Sequence, residues 1–294
     1  MRKYLILAAM ALIGVSCSEK NIDLNPDQIR VTASLPGSTR ATLTNFEQGD
    51  QMSLYAVEYN GENVASLQVS GNYLNNERMT YNNGAWEGNT LYWSSNPCDF
   101  YAIYPYQEPE AVKDLLFEIE TDQSAPKTED GPGGYEKSDL MWAKAEKITK
   151  ESNNSKVDLQ FTHMMSRLVV DIKTAETFEG DIPNDIVTHI YNTATTAVVD
   201  YTNGTVEKYP YSPKKTITMN KISNNRFEAI VVPQFIERST QLIEMTMGGI
   251  AYLFTSEPIS FRPGYQYTLE ITLSTSPDQE NIEISIGGEV EGWN

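Results

Sequence analysis

The feature that most constrains this chain is a repeated two-residue alternation of apolar and polar side chains, broken by Gly, Pro and Asn. Ile29, Val31, Ala33 and Leu35 point one way, Arg30, Thr32 and Ser34 the other, and Pro36-Gly37-Ser38 ends the run. Tyr265, Tyr267, Leu269, Ile271 and Leu273 alternate with Gln266, Thr268, Glu270 and Thr272 directly after Pro263-Gly264. Ile282, Ile284 and Ile286 alternate with Glu283 and Ser285. Successive side chains leave opposite faces of a sheet, so each run reads as a strand with one dry face, as in antiparallel sandwiches. Turn signals recur at Asn60-Gly61, Asn83-Gly84, Asn203-Gly204, Gly248-Gly249 and Gly287-Gly288. Gly248-Gly249 lies between two apolar runs and predicts a tight hairpin. No long window holds a helical stripe; the best, residues 111–117, is enough for a turn or so. The expected fold class is all-β, of sandwich or barrel type.

The N-terminus carries a different signal. Arg2 and Lys3 precede an uncharged, mostly apolar run at residues 4–15, and Gly14 and Ser16 are small residues just before Cys17. This is the layout of a secretory signal peptide over residues 1–16, too short to span a bilayer, which takes about 20 residues. Cys17 resembles the acylated cysteine of a bacterial lipobox, although Gly14 stands where that box usually has Leu. Gly14-Val15-Ser16 also reads as an ordinary signal-peptidase site, which would leave Cys17 unmodified. Residues 17–28, polar and containing Asn25-Pro26-Asp27, read as a tether. With Cys17 acylated, Cys98 has no cysteine partner in the chain, so the fold must rest on its core, and Cys98 reads as a buried inert thiol.

The length of 294 residues suggests two domains. Residues 122–137, with Gly131-Pro132-Gly133-Gly134, read as a long flexible loop. The polar stretch 147–156 places the boundary just after it, giving one domain over residues 29–158 and a second over 159–294.

Composition excludes several functions. Forty Asp and Glu against 22 Lys and Arg give a net charge of −18 without basic clusters, which excludes a phosphate-backbone binder and so a nucleic-acid partner. His163 and His189 stand far apart with no metal-ligand spacing around either. There is no Gly-x-Ser-x-Gly elbow, no His-Glu-x-x-His and no phosphate-binding loop, and among so many carboxylates no pair stands out for glycoside hydrolysis. No enzyme activity, metal or other cofactor is expected. The dense aromatics, Tyr92-Trp93 and residues 100–106, suit core filling better than a sugar platform, and Trp93, Phe100 and Trp142 are expected inside.

Several strings, in order, resemble the fimbrillin-like family of lipid-anchored pilin proteins of anaerobic Gram-negative bacteria. They are Thr39-Arg40-Ala41-Thr42, then Phe46-Glu47-Gln48-Gly49-Asp50-Gln51-Met52-Ser53-Leu54-Tyr55-Ala56, then Tyr92-Trp93. Cys98-Asp99-Phe100-Tyr101-Ala102-Ile103-Tyr104-Pro105-Tyr106, Thr121-Asp122-Gln123, Ser138-Asp139-Leu140-Met141-Trp142-Ala143 and Phe161-Thr162-His163 follow. The resemblance covers residues 29–170, with only general character beyond.

It implies two transthyretin-like Greek-key β-sandwiches in tandem and export to the outer membrane as a lipoprotein anchored at Cys17. It further implies cleavage by an arginine-specific protease at Arg40-Ala41 and removal of the first strand (Ile29, Val31, Ala33, Leu35). A strand from another fimbrial subunit would then fill the groove by β-strand addition. On this reading Ile282, Ile284 and Ile286 form the candidate donor strand. The plain alternatives stay open: Arg40 as a solvent-exposed loop residue, and residues 282–286 as a strand that completes its own sandwich. The functional expectation is a structural or adhesive fimbrial subunit, with a host protein or glycan as a further partner. The alternative is a surface glycan-binding lipoprotein with two or three exposed aromatics.

Overall fold

The computed structural model describes residues 25, 27–35, 46–128, 131–152, 155–176, 178, 181–274, 282–285 and 290–293. Strands dominate, and the one helix among the described residues is the short Gly134–Ser138. The protein is an all-β sandwich.

One seven-stranded sheet runs Thr162–His163, Met141–Ile148, Cys98–Tyr104, Gln51–Asn60, Leu74–Asn82 and Ala85–Glu87, with Asn63–Val64 paired alongside Gln51–Asn60. Its neighbours are antiparallel. Cys98–Tyr104 is buried at every position, and so is most of Gln51–Asn60. The two faces go to different places. Cys98, Phe100, Ala102 and Tyr104 join Met52, Leu54 and Ala56 in a first core, completed by the first strand and Lys156–Gln160. Tyr101 and Ile103 join Tyr55 and Val57 in a second core shared with residues 164–293. Phe100 is fully buried as expected, while Trp93 and Trp142 are half-buried and pack against the first and second cores respectively.

The second core lies among three further sheets. A six-stranded one orders Asn220–Ser223, Arg226–Val231, Ser166–Thr174, Tyr265–Leu273 and Ile282–Ser285, with Val290–Gly292 beside Tyr265–Leu273. A four-stranded one orders Lys214–Thr218, Val187–Ala194, Gln241–Met247 and Ile250–Thr255. The third pairs Thr205–Lys208 with Thr196–Asp200 and Thr196–Asp200 with Leu115–Glu118.

Turn chemistry behaves as the sequence predicts at two hairpins. Gly248 and Gly249 take φ 58° and 79° between the paired residues Met247 and Ile250. Asn83 and Gly84 take φ 49° and 87° between Asn82 and Ala85. Two left-handed central residues make the turn whose twist matches antiparallel strands.

Three expectations are corrected. The alternating runs at 29–35 and 265–273 do not have only antiparallel neighbours: Arg30–Ser34 pairs in parallel with Lys156–Gln160, and Tyr265–Leu273 in parallel with Ser166–Thr174. Alternation reports which face is dry, and it carries no information on the direction of a partner distant in sequence. Residues 111–117 form no helical turn; Leu115–Glu118 is a strand, with Phe117 buried and Leu116 turned outward. The available edge of Thr196–Asp200 overrides a weak local propensity. Residues 122–137 are not simply a flexible loop. Gln123 is fully buried, and its amide pairs with Ile230 through Nε2 to the carbonyl (2.8 Å) and N–H to Oε1 (2.7 Å).

Gly134 begins the helix so close to the Asp122 carbonyl that a Cβ would lie well inside van der Waals contact. Gly134→Ala should therefore lower stability by about 1–3 kcal/mol, the usual cost of overpacking. Urea unfolding checks this, with Gly71→Ala as a control whose Cβ meets open space, although its φ of +88° carries some strain of its own.

Candidate functional site

The first strand lies in an apolar trough. Ile29, Val31 and Leu35 are buried, and Ala33 packs against the same core, which also holds Met52, Leu54, Trp86, Val157 and Leu159. Its ladder to Lys156–Gln160 runs in register from Arg30↔Lys156 to Ser34↔Gln160. Thr32 Oγ1 donates to the Asp158 carboxylate beside that ladder. At its start the Ile29 N–H donates to the Leu91 carbonyl (2.8 Å), and Gln28 bridges Tyr92. At its end the Phe161 N–H donates to Ser34 (2.9 Å). Burying three large aliphatic side chains contributes on the order of 5–9 kcal/mol, and such area sums are upper bounds.

The C-terminal strand occupies a sheet edge. Ile282–Ser285 pairs antiparallel with residues 270–273, and Val290–Gly292 with 265–267. After it Trp293 is buried, and its N–H donates to the Gly264 carbonyl (2.7 Å). The Trp293 ring stacks on His163 at 3.6 Å between centroids and 7° between planes. His163 Nδ1 in turn meets Asp139 Oδ1 at 2.7 Å. Arg167 lies 5.8 Å from the Trp293 ring and pairs with Glu228 (2.6 Å), which also holds Arg226 (2.9 Å).

These two regions meet. Leu35, where the first strand ends, Phe46, where the described chain resumes, and Trp293 line one cleft of ≈ 170 Å³. Tyr104, Asp139, His163 and Arg167 line it as well. Burial, followed by the nearby Asp50 carboxylate, pushes the Tyr104 phenol above its ordinary range. Asp50 is itself held by Lys127 (2.8 Å) and by the Glu47 N–H (2.8 Å).

Of the expected site residues, Ile29, Val31, Ala33 and Leu35 are brought together in the trough. Ile282 and Ile284 stand at the sheet edge opposite Leu273 and Ile271. Cys17, Arg40, Ala41 and Ile286 lie outside the described residues. His163 is a hydrogen-bonded structural histidine. Sequence reasoning missed the partner of that histidine, since nothing links Trp293 to residue 163 along the chain. It also gave no role to Asp99, a buried carboxylate that accepts from Tyr59 Oη (3.0 Å) and the Lys147 N–H (2.8 Å) and pairs with Lys144 (3.2 Å). The one signal was its position, an acid inside an otherwise apolar strand.

Comparison with known proteins places the architecture. A family model described as fimbrillin-like matches residues 39–293. A solved structure described as a candidate cell adhesion protein of Bacteroides uniformis is 24% identical, with TM-score 0.64 over 91% of this chain and 98% of that one. Another so described, from Bacteroides ovatus, is 16% identical with TM-score 0.66, over 91% and 98%. A fimbrial protein of Bacteroides ovatus is 18% identical with TM-score 0.50, covering 86% of this chain and 51% of that one. No curated protein matches. The chain belongs to the fimbrillin-like family. That family and these neighbours support the class of a fimbrial or adhesion subunit.

Two outcomes test this geometry. Trp293→Ala should cost about 3–5 kcal/mol, as for other buried Trp truncations. Hydrogen exchange should show lost protection concentrated in Tyr265–Leu273 and the strand beside it, and uniform loss would contradict a local clamp. Cys98 supplies the second. Burial, with Glu58 and Asp99 adding to it, pushes its thiol up to about 12. At pH 8 its thiolate fraction should then be on the order of a thousandfold below that of an unfolded chain, whose thiol titrates near ~8.5. Iodoacetamide should leave Cys98 unmodified in the folded protein and label it in urea.

Proposed function

We propose that this protein is a structural or adhesive subunit of cell-surface fimbriae. On this reading residues 1–16 direct export, Cys17 is acylated and ties the chain to the outer membrane, and residues 29–158 and 159–294 act as two tandem units. An arginine-specific protease cuts Arg40-Ala41, the first strand leaves, and a strand of another subunit replaces it. The observation that carries this reading is the trough under Ile29, Val31 and Leu35. Its apolar lining would face water once the strand left, a cost comparable to the ~5–15 kcal/mol stability of a whole domain. A vacated trough therefore recruits another strand, with backbone bonds giving affinity and alternate side chains setting register.

Arg40-Ala41 sits between Leu35 and Phe46, so a cut there would sever the first strand from the sheet that follows. The candidate donor, around Ile282, Ile284 and Ile286, pairs through Ile282–Ser285 with one neighbouring strand among the described residues, Tyr265–Leu273.

The test is limited digestion of the folded, unacylated precursor with an arginine-specific protease, followed by mass spectrometry and sizing. The expected result is one cut at Arg40, loss of the segment before it, and oligomers that survive mild detergent. Arg40→Gln should block all three. A resistant monomer, or cuts scattered elsewhere without oligomers, would refute protease-triggered assembly. Digesting a chain truncated after Ser274 identifies the donor: oligomers that persist assign donation to another segment.

A further inference from the structure

Away from the terminal strands, a second cavity of ≈ 330 Å³ opens beside Val187–Ala194. This is within the range of small-ligand sites, roughly 300–1,000 Å³. It forms where that strand bulges: pairing with Lys214–Thr218 shifts between Ile190 and Thr193, and Asn192 takes φ 59°. Bulges re-aim side chains and are over-represented beside functional sites. The walls are fixed from within. Asn192 Nδ2 donates to the Gln241 carbonyl (2.8 Å). The Gln234 amide clamps Ala194, accepting its N–H (2.9 Å) and donating to its carbonyl (3.2 Å).

The rim is aromatic. Tyr211 and Phe235, at 83% and 62% exposed, are the two most exposed large apolar side chains among the described residues. Phe235 lines the cavity directly. Tyr211 packs edge-on against Tyr209, which also lines it, at 5.7 Å and 69°. The loop that carries both tyrosines is anchored rather than loose. Its Ser212 Oγ accepts the N–H groups of Thr195 (3.0 Å) and Thr196 (2.9 Å), and the Tyr209 N–H donates to the Thr196 carbonyl (3.0 Å). Exposed rings on a fixed loop give up little conformational entropy on binding.

The rim is also cationic. Lys208 and Lys214 line the cavity, and neither forms an ion pair among the described residues. Glu237 is the one acidic residue lining it. A local excess of positive charge in a chain of net charge −18 favours an anionic group at this place.

We propose that this cavity binds a saccharide and prefers one that carries a carboxylate, a uronic or sialic acid unit. A pyranose offers a face of C–H groups to an aromatic ring and a girdle of hydroxyls to amide, hydroxyl and ammonium groups. Phe235 and Tyr209 supply the first surface, and Asn192, Thr240 and the lysines the second. A sugar carboxylate meets Lys208 and Lys214. This inference is independent of strand exchange and is read on the uncleaved monomer, so failure of either leaves the other standing.

The experiment is titration of the intact folded chain with sialyllactose, a galacturonate trimer and lactose, followed by saturation-transfer NMR and calorimetry. Binding of at least one acidic sugar, about tenfold tighter than lactose, is expected. Phe235→Ala should weaken it by roughly tenfold, as loss of a stacking ring does, and Tyr211→Ala by less, since that ring acts only by supporting Tyr209. Lys208→Gln with Lys214→Gln should remove the acidic preference, so that the acidic sugars bind no tighter than lactose does to the same variant. All four changes are at exposed or rim positions, and circular dichroism verifies that each variant folds. Which acidic sugar binds separates a sialic from a uronic source. Equal affinity for lactose and both acidic sugars, binding unaffected by the aromatic variants, or no binding at ~10 mM would each overturn the proposal.

Discussion

The strands Gln51–Asn60 and Cys98–Tyr104 lie side by side, and both faces of that pair are dry. Most antiparallel sheets wet one face, and their strands alternate accordingly. Here Leu54↔Ala102 and Ala56↔Phe100 face one core while Tyr55↔Tyr101 and Ser53↔Ile103 face the other way. Two apolar surfaces on one sheet require two covering layers. The first strand with Lys156–Gln160 supplies one, and the sheets formed largely by residues after 164 supply the other. Removing either layer would expose a face of the same sheet. The behaviour of the N-terminal strand is thereby tied to an element that also supports the opposite core.

Such a sheet needs polar groups that are buried and satisfied, since an orphaned buried group costs about 1–3 kcal/mol. Asp99 sits inside the driest strand and takes three partners, from Tyr59, Lys144 and Lys147. Gln123 stands in for a strand, giving Ile230 the two bonds a neighbouring backbone would have made. Ser138 Oγ accepts the Glu120 N–H (2.9 Å) and donates to the Gly134 carbonyl (2.7 Å), closing the short helix onto the segment before it. The Gln123 and Ser138 bonds fix the segment around residue 120 to Ile230 on one side and to the short helix on the other. A loop so pinned positions Asp139, and Asp139 orients His163 for its stack on Trp293.

Legibility followed the range of the interaction. The faces of the first strand and the hairpins at Asn83-Gly84 and Gly248-Gly249 depend on neighbours within a few residues, and they could be read. The direction of a strand's partner could not, because Lys156 and Arg30 meet only in space. The run at 100–106 was read correctly as core filling, but not as filling two cores, because parity matters only once both faces are known to be covered. Gly133-Gly134 looked like flexibility and is close packing, a distinction that rests on where Asp122 and Ala125 return. The aromatic rim of Tyr211 and Phe235 was also invisible, since a Tyr in a turn and a Phe in a short strand reach the same cavity mouth only through the fold. The aromatics that the sequence made conspicuous, at 92–93 and 100–106, lie mostly in or against the cores.

Two parts of the molecule answer to different physical demands. The trough of the first strand is long, apolar and regular, suited to a partner that presents backbone bonds and alternating side chains. The cavity at the Asn192 bulge is compact, polar within and aromatic at its lip, suited to a small hydroxylated ligand. They are built on different sheets: the trough rests on the first core, and the cavity on the edge between Val187–Ala194 and the 209–214 turn. Loss of the first strand would leave intact the bonds from Gln234 and Ser212 that hold the other site open, since they are made to Ala194, Thr195 and Thr196 and not to the first core. In the proposed fimbrial subunit that separation would let assembly and recognition proceed on the same molecule.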